Sequence, residues 1–274
     1  MNADRFFRLL PIAGLSWLWG AFFFRVHLWW NEASYYTYGW IVPLFAWLLF
    51  VRYCRGWSVH LEQKSGGRLL PVFGLLLIYV PLRLMAEPDP FWRFPLWLEA
   101  SVLVSLTLTM VYCLYGASTT RAALIPCAFL FTALPWPAGA ETALVQGLTG
   151  LVVSATTEGL LWFGHPAEIS GHAIRVGEDT ILINNACSGI RSFQSLLAIG
   201  LFLAAYFRLK LPVAFATLVF AVFAAFFFNL CRALILALIS LDGGDKAYAT
   251  WHDPVGYGSV TAAFLALVIF VWLF

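Results

Sequence analysis

The sequence predicts an all-α polytopic membrane protein, on three observations. Of its 274 residues 62% are hydrophobic and only 11% charged, far too apolar a balance for a water-soluble fold. Apolar runs of about 20 residues, the length a helix needs to cross the hydrocarbon core, recur from one end of the chain to the other. Between them lie short segments that gather the charges. The net charge of +2 gives no basis for a nucleic-acid partner. The five cysteines form neither a disulfide framework nor a C-x-x-C metal spacing, and no cofactor is expected.

About eight runs qualify as transmembrane helices, beginning near Phe7, Thr37, Leu69, Pro95, Thr119, Gly189, Pro212 and Pro254. The first follows Arg5 and Arg8 as a signal peptide would, yet no small-residue cleavage site follows it and Arg25 and His27 interrupt it. It therefore reads as a retained span. Residues 141–163 are different: Gln146, Thr149, Ser154, Thr156, Thr157 and Glu158 make the segment polar, and Gly147, Gly150 and Gly159 weaken it as a helix. The expectation is a surface or re-entrant helix that lines a cavity without crossing. Residues 172–176 and 180–183 are rich in β-branched side chains and flank Gly177-Glu178-Asp179, which predicts a small β-hairpin on the outer face. Such a hairpin either pairs with an extended substrate or caps the cavity. Residues 1–274 form a single integral membrane domain, with N-terminal helices in 1–135 and the chemistry in 136–274.

The bias of cations toward the cytoplasm sets the orientation. With the N-terminus inside and residues 141–163 not crossing, the inner loops hold Arg52, Arg55, Lys64, Arg68, Arg121, Arg208 and Lys210. The outer loops hold Glu32, Glu87, Asp89, Glu168, Glu178, Asp179, Asp242, Asp245 and Asp253. Both termini are then inside, and the polar cluster described next lies outside.

That cluster centres on residues 184–192, Asn-Asn-Ala-Cys-Ser-Gly-Ile-Arg-Ser. Cys187 stands where the hairpin stops and an apolar helix opens, among unpaired N–H groups that favour a thiolate. Ser188, Gly189 and Arg191 follow it at once. Cys54, Cys113, Cys127 and Cys231 have no polar cluster around them in sequence and read as small apolar residues of membrane helices. Arg232 lies 20 residues beyond Pro212, about 30 Å along a helix and so at the outer boundary. Asn229 precedes it by one turn on the same face. An arginine in apolar surroundings marks a function or a partner, the alternative being a side chain that snorkels to the interface. His252 sits just before the last span, and Asp253 with Pro254 after it fits a helix cap. Arg191 contacts either a lipid headgroup or a substrate carboxylate. Glu158, His165 and His172 have no zinc spacing, so no metal is assigned to them.

Together these groups fit nucleophilic acyl transfer: a Cys187 thiolate attacks a peptide carbonyl, His252 carries the proton to the leaving amine, and Arg232 stabilises the thiolate or the oxyanion. At Ala186-Cys187-Ser188-Gly189-Ile190-Arg191, then Asn229-x-x-Arg232, then His252 followed by Gly256, the sequence resembles the exosortase and archaeosortase family. The likeness extends to Leu134-Pro135-Trp136-Pro137, to Gly164-His165-Pro166 and the strands after it, and to Tyr36-Thr37-Tyr38-Gly39. The resemblance implies a multipass membrane cysteine protease or transpeptidase with a Cys-Arg-His triad of Cys187, Arg232 and His252. A histidine in third place is similar to the bacterial exosortase branch, while Asn184-Asn185 departs from the small or acidic residue often found there. The implied partners are exported proteins whose C-terminal sorting signal, often containing Pro-Glu-Pro, precedes a membrane helix and a basic tail. A lipid or glycan acceptor, or water, would take the acyl group. The implied location is the inner membrane, with the site facing the periplasm or exterior. Arg191, Asn229, Ser188 and Asp253 are expected to bind substrate or support the triad. Two readings compete: a scaffold that holds the sorting helix without cutting it, and a small-solute transporter. Polar residues gathered at one outer level, with no internal repeat, argue against transport.

Overall fold

Helices dominate the computed structural model, which describes residues 3–32, 35–56, 70–171, 173–177, 179–182 and 189–274. They are α1 (Ala3–Glu32), α2 (Val42–Gly56), α3 (Leu70–Met85), α4 (Arg93–Phe129), α5 (Ala138–Trp162), α6 (Ile190–Tyr206) and α7 (Leu211–Trp272). Three short strands, β1 (Ala167–Ser170), β2 (Ala173–Val176) and β3 (Asp179–Leu182), lie between α5 and α6. The chain divides into two units, Met1–Pro137 and Ala138–Phe274.

Four helical stretches among the described residues are long and apolar enough to cross a membrane: Thr37–Arg55, Arg93–Ala133, Ala138–Trp162 and Leu211–Trp272. The chain is a polytopic membrane protein. The longest two are bent at glycine, α4 at Gly116 (φ 80) and α7 at Gly244 (φ 65), a left-handed conformation that only glycine adopts freely. The starts expected near Pro95 and Thr119, and near Pro212 and Pro254, fall on the two limbs of α4 and on the two limbs of α7, each pair joined across a non-helical glycine. The outward faces are apolar, as lipid requires. On α3, Leu70, Phe73, Leu77, Val80 and Leu84 are all exposed, spaced three and four residues apart along one stripe.

In the first unit, a buried charge of one sign is paired with one of the other. Arg25 of α1 forms a buried ion pair with Glu99 of α4, and the Tyr79 hydroxyl of α3 donates to Glu99 Oε1 at 3.1 Å. A charged pair in low dielectric persists only with such partners. Gly39 lies against the Trp30 ring, where a Cβ would come 2.1 Å from Nε1. The Leu134-Pro135-Trp136 segment is tied down by Trp97 Nε1 to the Pro135 carbonyl (2.7 Å), by Arg93 to the Trp136 carbonyl (2.5 Å), and by the Trp136 N–H to the Tyr36 hydroxyl (2.8 Å).

In the second unit, residues 141–162 fall on α5, one continuous helix of 25 residues, about 37 Å long and therefore long and apolar enough to cross a membrane. Its threonines are no obstacle, because Thr149 Oγ1 and Thr157 Oγ1 each donate at 2.8 Å to a carbonyl one turn back, Val145 and Val153. Its glycine at 159 serves packing: a Cβ there would lie 2.9 Å from Leu234 Cδ1 on α7. The sheet also exceeds the expected hairpin. Its order is β1-β2-β3, all antiparallel, with Ala167 opposite Val176 and Ala173 opposite Leu182. The β2–β3 turn holds Gly177 at φ 62, as its turn residues require. The added strand, β1, was hidden by its mixed Ala-Glu-Ile-Ser composition. His172, Glu178 and Ile183 lie outside the described residues.

Direction within this unit follows from its contacts. Val152, Val153 and Leu160 of α5 share one core with Ala167, Ile174 and Val176 of the sheet and Ala237 of α7. The C-terminal end of α5, the sheet and the later turns of the first arm of α7 are thus at one end. Helix α6 runs antiparallel to that arm, with Gly189 against Asn229 and Gly200 against Ala221 and Leu218. Beyond Gly244 the second arm of α7 folds back, so Phe270 stacks on Phe220 (4.3 Å between ring centres) while Ala263 and Leu267 pack with Ala221, Ala224 and Ala225. The start of α6 and both limbs of α7 near Gly244 therefore meet at the sheet end. The connection from Phe207 to Lys210 and the end of the second arm lie opposite.

Candidate active site

Helix α6 begins abruptly at Gly189, whose φ of 78 and ψ of 7 turn the incoming chain into the first helical turn. A side chain is excluded there on two grounds: the left-handed backbone, and the Asn229 side chain, whose Cγ would lie 2.6 Å from a Cβ. Asn229 is 4% exposed. One turn further along the same arm, Arg232 reaches across to the second arm, where Nη2 donates to His252 Nε2 at 2.9 Å. A guanidinium has no acceptor, so Nε2 takes this bond with its lone pair and the ring proton is on Nδ1. Nδ1 lies 2.9 Å from Asp253 Oδ1. Arg232 Nε is buried and makes no hydrogen bond among the described residues.

A cavity of about 280 Å³ opens at this point, lined by Gly189, Arg191 and Ser192 of α6, Arg232 of the first arm, and His252, Asp253, Gly256, Tyr257 and Val260 of the second. It holds two guanidiniums, an imidazole and a carboxylate in an otherwise apolar bundle, an arrangement that suits stabilising negative charge and moving a proton. The structure thus brings Arg191, Arg232, His252 and Asp253 to one cavity, with Asn229 behind Gly189 at its edge. Cys187 and Ser188 lie outside the described residues, as do Asn184, Asn185 and Ala186. No group of three His, Cys, Asp or Glu side chains that could hold a metal occurs among the described residues.

Asp253 does not cap the last helix, as its place before Pro254 had led us to expect. The helix is already formed from Asp245 onward, Asp253 lies within it, and its carboxylate turns to His252. Tyr257 and Val260 were not anticipated at the cavity, nor was the Tyr248 ring, 5.7 Å from that of His252. Their spacing from 252, 253 and 256 is helical, a signal obscured by Asp242-Gly243-Gly244-Asp245 and Pro254, which read as a loop. Arg25, taken from sequence as a mere interruption of the first span, turned out to be half of the buried ion pair with Glu99.

No curated protein and no solved structure matches this chain. A family model described as transmembrane exosortase matches residues 29–271, which include both arms of α7 and all the cavity-lining residues. By that match the chain belongs to the transmembrane exosortase family.

Proposed function

We propose that this protein is a membrane-embedded cysteine peptidase or transpeptidase that processes exported proteins carrying a C-terminal sorting signal. In this reading Cys187 is the nucleophile, Arg232 the electrostatic stabiliser and His252 the acid and base. The observation that carries it is the Arg232–His252 contact inside a cavity whose wall includes Gly189. In the sequence Cys187 precedes Gly189, a residue of the cavity wall, by two positions, which supports assigning it to the same site.

The chemistry runs in two steps. The Cys187 proton passes to His252, the sulfur bonds to the substrate carbonyl carbon, and Arg232 receives the charge that develops on the oxygen. The C–N bond then breaks as His252 returns the proton to the leaving amine, which departs with the membrane helix and basic tail of the signal. The thioester left behind is taken by water or by an amine on a lipid or glycan acceptor. Arg191, exposed on the same wall, is placed to meet a substrate carboxylate, and Asn229 sets the spacing between α6 and α7. What supports a cavity facing away from the cytoplasm is the Phe207–Lys210 connection, which carries Arg208 and Lys210 at the end of the unit opposite the cavity, where the positive-inside bias favours the cytoplasmic side.

The test is to co-express an exported protein ending in such a signal with this chain, in the inner membrane of a Gram-negative host, and weigh the mature protein. Cleavage that depends on Cys187 supports the reading. A substrate of unchanged mass across a panel of such signals, with the protein present in the membrane, defeats it.

A further inference from the structure

The Arg232–His252 contact extends one residue further, and the extension assigns a role. We infer that Asp253 is a positioning residue of this site: it holds His252 in the tautomer with its proton on Nδ1, which leaves Nε2 as the nitrogen that takes and returns the proton. The inference rests on the cysteine-peptidase reading for its chemistry but on the ring geometry alone for the tautomer.

Three observations carry it. The Nδ1–Oδ1 distance is 2.9 Å and the opposite ring nitrogen is 2.9 Å from a group that can only donate, so both contacts demand the same tautomer. Adjacent residues on a helix point about 100° apart and do not ordinarily face each other, so helical spacing does not by itself produce this pairing. Asp253 is not needed as a cap: it lies inside the helix, and the one side-chain hydrogen bond it makes among the described residues is this one.

The contact also defines the resting state. With Arg232 on Nε2, the imidazole lone pair is occupied, and His252 becomes a base only when the guanidinium turns to the oxygen or sulfur that carries negative charge. At that moment Asp253 is the group still fixing the ring. The cysteine proton then bonds to Nε2, Nδ1 keeps its own proton against Oδ1, and the Nε2 proton leaves with the amine, so no net proton is gained or lost at the site. Positioned carboxylates of this kind act through the histidine and touch neither substrate nor sulfur.

The experiment has two arms. In the first, histidine is labelled with ¹⁵N, and the His252 signals are identified by their loss in His252→Gln. Neutral His252 should show a protonated Nδ1 in wild type and in Arg232→Ala, and a mixture of tautomers in Arg232→Ala/Asp253→Ala. A double variant that keeps the Nδ1–H signature overturns the inference. In the second, Asp253→Ala should lower kcat about ten- to a hundredfold with KM little changed, and Asp253→Asn, whose amide oxygen still accepts from Nδ1–H, should recover part of the loss. Full kcat in Asp253→Ala overturns it as well. The first arm needs no turnover, so a chain that cleaves nothing would defeat the proposed function and leave the tautomer measurement standing.

Discussion

Replacing Gly189 by alanine isolates the contact that joins α6 to the first arm of α7 beside the proposed nucleophile. Two penalties add. At φ 78 an L-residue pays about 1–2 kcal/mol for the left-handed backbone. The new Cβ would also lie 2.6 Å from Asn229 Cγ and 3.0 Å from its Cβ, and Asn229 is 4% exposed with little room to yield, which adds about 1–3 kcal/mol of overpacking. The sum is about 2–5 kcal/mol, a large part of the stability of an ordinary domain. The assay is heating in detergent micelles, scored as the fraction that remains monodisperse, for Gly189→Ala, Asn229→Ala and the double variant. Gly189→Ala should unfold at clearly lower temperature, and the double variant should lose less than the two single losses added, because the clash with the amide group is gone and only the backbone penalty and the 3.0 Å approach to the residue-229 Cβ remain. Strict additivity would refute the close packing of Gly189 on Asn229, and wild-type behaviour of Gly189→Ala would refute both penalties.

Other expected outcomes follow from the same contacts. Arg232→Ala should lower the rate of processing by about two to three orders of magnitude while the protein still accumulates in the membrane, measured as cleaved substrate per unit of enzyme. Glu99→Ala should destabilise the first unit by about 3–5 kcal/mol, because it leaves Arg25 buried without its charge partner, whereas Arg25→Leu/Glu99→Leu should cost much less; chemical denaturation in micelles distinguishes them. Gly159→Val should disrupt α5 against α7, and Leu234→Ala in the same chain should relieve it, read from expression and thermal stability. A cysteine placed at Tyr257 should react with an impermeant maleimide from outside intact cells, and one placed at Lys210 only after the membrane is opened; the reverse pattern would invert the orientation.

Much of the architecture was legible because lipid imposes a simple pattern. Long apolar runs gave the helices, and the β-branched residues around Gly177 gave the β2–β3 turn. Polar and glycine residues that look like breaks in the sequence lie inside helices here: the threonines of α5 bond to their own backbone, and Gly159 admits Leu234. Asp253 was misassigned for the same reason, since a carboxylate before proline fits a cap only if the helix starts there. Pairwise facts across helices, such as Arg25 with Glu99 or Nδ1 of His252 with Asp253, have no signature in a single sequence because their partners are fixed by packing.

The central claim is that a sulfur two residues before Gly189 works with the Arg232–His252 pair. It is tested most directly by trapping the acyl intermediate: enzyme and exported substrate are quenched in acid, digested, and the Cys187 peptide is weighed. The account expects an adduct of the substrate's acyl fragment on Cys187 that hydroxylamine releases, absent in Cys187→Ala and strongly reduced in Arg232→Ala. Cleavage that proceeds undiminished in Cys187→Ala, or an adduct on another residue, would contradict it.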